Sequence, residues 1–283
     1  MDTKYTFPKI NIAPPYGYRM SYRFSIEKLE YHLPKNKTTK MKTQHNHFKK
    51  GKLIKTINSY LEFNGKHWID ESGLYYICDS HYGDLSDWNT SNDLEYIESN
   101  IEITSDGYFK NILKFVPSQN YALYLSNQKK TFLSDGQYKF GASRTIDQMK
   151  SFGKWVEGYP DGNLSLQRNS DQSLILINPY KNNARIKIEL INDKIIQKYY
   201  DVPSLSAHRI TISSLLKTDI SWSGQILISG NFRIVFFILK HNLKGNNITT
   251  LEHSENYRGE RTHYSIKQSI NKIPNKIKRE FKL

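Results

Sequence analysis

ARIKIELI, residues 184–191, decides the fold: Ala184, Ile186, Ile188 and Leu190 alternate with Arg185, Lys187, Glu189 and Ile191. A period of two places the first set on one face of a strand and the second on the other, so one face is dry and the other mostly wet. HRITISSLL, residues 208–216, has the same period and predicts a strand with Ile210 and Ile212 on one side. FRIVFFILKH, residues 232–241, is apolar in both registers and predicts a central strand covered on both faces. KWVEGY, NLSLQ, SLILINPY, KIIQKYYDV and GQILISG complete a series of short strands between Gly153 and His241, separated by turn residues. Such a series over this length predicts an antiparallel β-sandwich.

Upstream the signals are of the same kind. KLIKTINSYLEF, GLYYIC, YFKNILKFV and YALYLS are runs rich in β-branched and aromatic residues. Asp106-Gly107 lies between two alternating runs and predicts a hairpin. Residues 22–33 read as a strand. In DGQYKFGASRTIDQMKSF, residues 135–152, the strand pattern breaks, and the segment reads as a short helical linker. The fold class expected is all-β, with two β-rich domains: an irregular leader over 1–50, a β-rich domain over 51–150, a sandwich over 151–257 and a basic amphipathic tail over 258–283. In the tail, Ile266, Ile270, Ile273 and Ile277 follow a helical period that Pro274 interrupts.

Composition bounds the function. The chain has 283 residues, 37% of them hydrophobic, with 20 Tyr, which supplies enough packing groups for a core and excludes a disordered chain. The first twenty residues hold no signal-peptide core, and the longest apolar run, Ile234 to Leu239, is far below the roughly 18 residues of a membrane span. A cytoplasmic protein with no transmembrane segment is expected. Cys78 is the only cysteine, so the chain has no internal disulfide and no CxxC pair. The formal charge is +14, but only 10 of the 41 basic residues are Arg, the side chain that forks onto phosphates and bases. Nucleic acid is therefore a possible partner and not the favoured one. Charge falls in blocks: eight Lys between Pro34 and Lys55, eight acids between Asp79 and Asp106, and eight bases after Tyr257. The basic blocks are suited to pairing with the acidic one.

Residues 153–241 carry a Trp155, Pro160-Asp161-Gly162 opening, a Leu176-Ile177-Asn178-Pro179 strand end, a Val202-Pro203 step followed by Arg209, and a strand ending in His241. In the order of these elements the segment resembles the sensory rhodopsin transducer family of small soluble β-sandwich proteins. The resemblance implies a homo-oligomer of sandwiches presenting a concave polar surface to a small polar or sugar-like ligand.

Three clusters combine chemistry-bearing side chains. His45 and His47, two apart, project to one face of any strand they occupy; no third ligand accompanies them, and no metal is expected there. His81, Asp84, Asp87 and Trp88 gather in a glycine-containing loop, where carboxylates accept from hydroxyls and the indole stacks on a flat ligand. His241, His253, Glu255 and Arg258 follow the last core strand. With Trp155, Tyr159 and Asp161 these form the expected ligand-binding set of a non-catalytic protein that recognises a polar, carbohydrate-like molecule and needs no cofactor. Two alternatives remain open: a module binding nucleic acid or another anionic partner through the Lys-rich segments, and an enzyme in which His81, Asp84, His253 and Glu255 converge. The chain contains none of the nucleotide, serine-hydrolase or zinc-protease motifs. Tyr159-Pro160-Asp161-Gly162 reads as the turn joining the first two strands of the sandwich.

Overall fold

The computed structural model describes residues 3–6, 10–15, 17–24, 33–35, 37–66, 69, 74–78, 93–107, 121–126, 129, 131–134, 155–217, 221–230, 235–243 and 247–253. The protein is all-β. Its strands are β1 (Thr3–Thr6), β2 (Ile10–Ile12), β3 (Arg19–Phe24), β4 (Thr39–Lys49), β5 (Lys52–Phe63), β6 (Leu74–Cys78), β7 (Asp93–Ser105), β8 (Tyr121–Ser126) and β9 (Thr131–Ser134). Then come β10 (Trp155–Leu166), β11 (Ser170–Asn178), β12 (Ala184–Ile191), β13 (Ile195–Val202), β14 (Ser206–Thr211), one short helix α1 (Ile212–Leu216), β15 (Trp222–Gly230), β16 (Val235–Asn242) and β17 (Ile248–His253).

The alternation in ARIKIELI does what its period requires. Ala184, Ile186, Ile188 and Leu190 are buried on one face of β12, which sits between β15 and β13 in an antiparallel sheet of order β10-β15-β12-β13. That face packs on Leu174 and Leu176 of β11, Ile210 of β14 and Ile238 of β16, which belong to the facing sheet. Val202, Ile212, Leu215, Ile226 and Ile228 complete this apolar core. Two antiparallel sheets closing over one core make a sandwich.

The facing sheet is apolar on both sides, as the composition of β11 and β16 demands. From Asp171 to Asn178 every residue of β11 is buried. Its even-numbered positions Leu174 and Leu176 look into the sandwich, while Ile175 and Ile177 look the other way, into a second core with Ala207, Leu239, Ile248 and Leu251. That second core also takes in Ile12, Met20, Met41, Tyr96, Ile97, Ile101 and Ile103 from the N-terminal half. The sheet continues into that half as well: its order is β17-β16-β11-β14-β7-β4-β5, with β1 and β2 also on β7, and β14 meets β7 through Ala207 opposite Leu94. Strands from both sides of residue 150 thus share one sheet. A third sheet has the order β6-β3-β8-β9.

Several local readings change. The polar run at 39–49, expected as part of an irregular leader, is an eleven-residue strand with burial alternating along it. Its inward positions are Thr39, Met41, Thr43, His45 and His47, so apart from Met41 the face toward the core is polar and its period is invisible to a hydrophobicity criterion. Thr39 is satisfied by donating to Ser105 Oγ at 3.0 Å across the ladder. β4 and β5 are joined by Lys50 and Gly51, both at positive φ, the conformation that two-residue hairpin turns use. Gly51 N–H donates to the Leu205 carbonyl at 3.1 Å, and a Cβ there would come within 3.2 Å of the Ser204 carbonyl oxygen. The hairpin tip is therefore pinned on the C-terminal half.

HRITISSLL is a strand only as far as Thr211. Thr211 caps one helical turn by accepting from Ser214 N–H at 3.2 Å, and Lys217 ends that turn in the left-handed region. The Ser-Ser pair competes for backbone bonds and breaks the strand. Ile210 and Ile212 still enter the same core.

Tyr159 to Gly162 is not a turn between strands. β10 runs through it on β15, with a register shift: Tyr159 pairs with Ile226 and Leu164 with Gly224, so residues 160–163 oppose Gln225 alone. Pro160, lacking an N–H, is tolerated because β10 is at the edge of its sheet. The chain reverses instead at 167–170, where Gln167 and Ser170 exchange backbone hydrogen bonds at 3.1 Å.

The helical reading of 135–152, the basic tail at 258–283 and the strand read at 108–116 lie outside the described residues, and of the strand read at 22–33 only 22–24 and 33 are described, the first three as the end of β3. Among the described residues no helix is long and apolar enough to cross a membrane.

Candidate functional site

The richest side-chain chemistry among the described residues is inside the double-faced sheet. Asp171 and Ser173 share the face of β11 that carries Ile175 and Ile177, because all four have the same parity. Register brings His241 of β16 opposite Asp171, and Arg209 of β14 opposite Ile175. Ser173, His241, Asp171 and Arg209 are all buried, at 0%, 1%, 4% and 6% exposure.

Their hydrogen bonds close on one another. His241 Nδ1–H donates to the Asn242 carbonyl at 2.7 Å, which leaves Nε2 as the acceptor of the neutral ring. The Ser173 hydroxyl donates to Nε2 at 2.6 Å, and Arg209 Nε–H donates to Ser173 Oγ at 2.9 Å. Asp171 is held by Gln172 N–H at 2.7 Å, Ser213 N–H at 3.3 Å and the Ser213 hydroxyl. Burial holds His241 below its ordinary range; its bond to the Asn242 carbonyl opposes that, and the Arg209 charge adds to it. Burial pulls the Arg209 guanidinium down to about 10, against the opposing pull of Asp171, so it stays charged at neutral pH. A serine bonded to a neutral imidazole is the arrangement that activates a nucleophile, but a nucleophile must also meet its substrate. Ser173 has no exposed surface, and its oxygen already serves both neighbours. The group acts as a polar cross-brace tying β11, β14, β16 and α1 together, with the specificity of a satisfied buried network.

A second histidine pair lies on β4. His45 and His47 do point to one face, and each is engaged by β7: His45 Nδ1 lies 2.7 Å from Ser99 Oγ, and His47 Nδ1–H donates to Glu95 at 2.6 Å. Burial lowers His45 to about 4, and the nearby His47 adds to the effect. His47 Nε2 is buried with no hydrogen-bond partner among the described residues. No group of three His, Cys, Asp or Glu side chains among the described residues is placed to hold a metal ion. On the opposite face of β7, Tyr96 stacks on Phe48 with ring centroids 5.1 Å apart, and burial, with Glu98 adding to it, pushes its hydroxyl well above the usual range.

The charge blocks meet across the β4–β7 ladder. Lys42 is opposite Glu102 and Lys49 opposite Glu95, and Lys4 also bridges to Glu102 at 2.5 Å.

The expected ligand-binding residues are distributed as follows. His241 is interior and bonded, within the network above. Trp155, Tyr159 and Asp161 lie on the backbone of edge strand β10, Asp161 within the four-residue excursion opposite Gln225. His253 ends β17, opposite Phe237 of β16. His81, Asp84, Asp87, Trp88, Glu255 and Arg258 lie outside the described residues. Asp171, Ser173 and Ser213 were not anticipated as a group. The signal for the first two was present: in SDQSLILIN they continue the parity of two inward isoleucines, so polar residues at those positions must be buried and paired.

No protein-family model matches the chain, and no curated protein is similar to it.

Proposed function

We propose that this chain is a non-catalytic binding protein that recognises a small polar, carbohydrate-like ligand at the edge of its C-terminal sandwich, with Pro160–Asn163 as the recognition element. The observation that carries this reading is the register shift in β10, where four residues of an edge strand are set against exposed Gln225 alone. An interruption of this kind re-aims side chains away from the ladder, and edges are where such devices serve recognition. Asp161 and Asn163 supply carboxylate and amide groups of the kind that fix hydroxyls. A second support is negative: the Ser173–His241 pair, the group best equipped for acyl transfer, is sealed and fully engaged. The alternative reading, an anionic partner on the Lys block, has less support because β4 lies directly beside the acidic strand β7.

The test is a thermal-shift screen against mono- and oligosaccharides, repeated with Asp161→Ala and with Ser173→Ala. The reading expects a sugar-dependent shift that Asp161→Ala abolishes and Ser173→Ala retains. A protein that responds to no sugar, or whose response ignores Asp161, contradicts it.

A further inference from the structure

A row of polar side chains crosses the nine-stranded sheet from solvent into the interior. Thr56 of β5 lies opposite Asn46 of β4, Asn46 opposite Glu98 of β7, and Glu98 opposite Asn11 of β2. Residues directly opposite in antiparallel strands share a face, so the four form one row across four strands. Thr56 is exposed and Asn46 half-buried, whereas Glu98 is 5% and Asn11 1% exposed.

The two ends of the row differ in hydrogen bonding. At the outer end the side chains satisfy one another: Thr56 Oγ1 donates to Asn46 Oδ1 at 3.0 Å, Asn46 Nδ2 to Gln44 Oε1 at 3.4 Å, and Gln44 Nε2 to Asn58 Oδ1 at 3.4 Å. At the inner end Asn11 Nδ2, Asn11 Oδ1 and the Tyr96 hydroxyl are buried and have no hydrogen-bond partner among the described residues. Tyr96 is two positions from Glu98 on the same face of β7, and the Glu98 charge joins burial in keeping its hydroxyl protonated, hence a donor. Buried polar groups are ordinarily paired, and two open ones beside each other call for a common partner.

We propose that the inner end of this row binds a small uncharged polyol at Asn11, Glu98 and Tyr96. A hydroxyl both donates and accepts, which is what Asn11 needs: its amide nitrogen donates to one ligand oxygen and its carbonyl accepts from another. Tyr96 donates a third bond, and Glu98, which takes Asn100 Nδ2 at 3.5 Å, has further lone pairs for a ligand hydroxyl. A cation would leave the Asn11 nitrogen unanswered, and an anion would face the Glu98 carboxylate. Phe48, half-buried and stacked on Tyr96, supplies an apolar wall for the carbon skeleton, from which water alone would gain nothing. The site is separate from Pro160–Asn163 on β10. It also differs from Ser173, whose oxygen is engaged on both sides.

The test is a thermal-shift titration of the full chain with glycerol, erythritol and myo-inositol, kept at millimolar concentrations where their general osmolyte effect is small. A saturating shift is expected with at least one of the three. Tyr96→Phe should weaken it about tenfold, Asn11→Leu should abolish it, and Asp161→Ala should leave it unchanged. Asn11→Leu should also raise the Tm of the ligand-free protein, because it exchanges an open buried amide for a side chain of similar volume that needs no partner. Tyr96→Phe removes one oxygen and keeps the ring stack, so it reports even where Asn11→Leu fails to fold. No shift, a shift that rises linearly and equally in native and variant chains, or a crystal structure at saturating probe with only water at Asn11 overturns the proposal. So does a response lost with Asp161→Ala and retained with Asn11→Leu, which would place it at β10.

Discussion

Acidification should unlock the β4–β7 ladder through His45. This side chain is 5% exposed and its native pKa is lowered to about 4, from 6.5 for the free group, by burial first and by His47 second. Between those values the unfolded chain binds a proton that the folded chain refuses. Stability therefore is intact above about pH 6.5, falls as pH drops through the unfolded value, and has lost the full contribution once pH reaches about 4. A difference of about 2.5 pKa units corresponds to about 3 kcal/mol at about 1.4 kcal/mol per unit. For a cooperative unit of this size that is a fall in Tm on the order of 10 °C. The assay is a thermal melt of the native protein and of His45→Gln at pH 7, 5.5 and 4. Gln keeps a hydrogen-bonding group near Ser99 and cannot titrate, so the variant should be less stable at pH 7 yet lose less on acidification, and the difference in slopes isolates His45 from every other titrating group. Parallel pH profiles would mean that His45 charges as readily folded as unfolded, and would rule out its part in acid destabilisation.

Further outcomes follow from other parts of the fold. Ser173→Ala removes the donor to His241 Nε2 and the acceptor of Arg209 Nε–H, and should cost about 1–3 kcal/mol in chemical denaturation without changing the sheet content seen by circular dichroism. Gly224→Ala places a Cβ 2.5 Å from the Ile191 carbonyl oxygen and from the Trp222 ring; the backbone contact has no flexible atom to give, so a loss of about 1–3 kcal/mol and an altered Trp fluorescence spectrum are expected. Lys217→Gly relieves a left-handed residue, φ 56°, at the end of α1 and should raise stability by about 0.5–1 kcal/mol, read from the same denaturation midpoint.

The C-terminal half was legible because its strands advertise themselves. β12 alternates, and β11 and β16 are apolar in both registers, which is what a sheet buried on two faces requires. β4 was not legible, since its inward face is built from Thr39, Thr43, His45 and His47, and those residues belong inside only because Ser105, Ser99 and Glu95 meet them from β7. That complementarity depends on a strand about sixty positions away and leaves no local pattern. The same holds for Asp171 and Ser173, which parity places inward but whose partners come from β14, β16 and α1. α1 escaped notice because one capped turn is too short to show a helical period. Pro160-Asp161-Gly162 has turn chemistry, yet the chain spends it on an interruption within an edge strand, a choice set by β15 and not by the tetrapeptide.

The separation of a sealed Ser173–His241 brace from a recognition edge is tested most directly by treating the native protein with a fluorophosphonate, which phosphonylates serines activated by histidine, and mapping adducts by mass spectrometry. Ser173 should remain unmodified in the folded protein. A stoichiometric adduct on Ser173 would show an open, reactive nucleophile and contradict it.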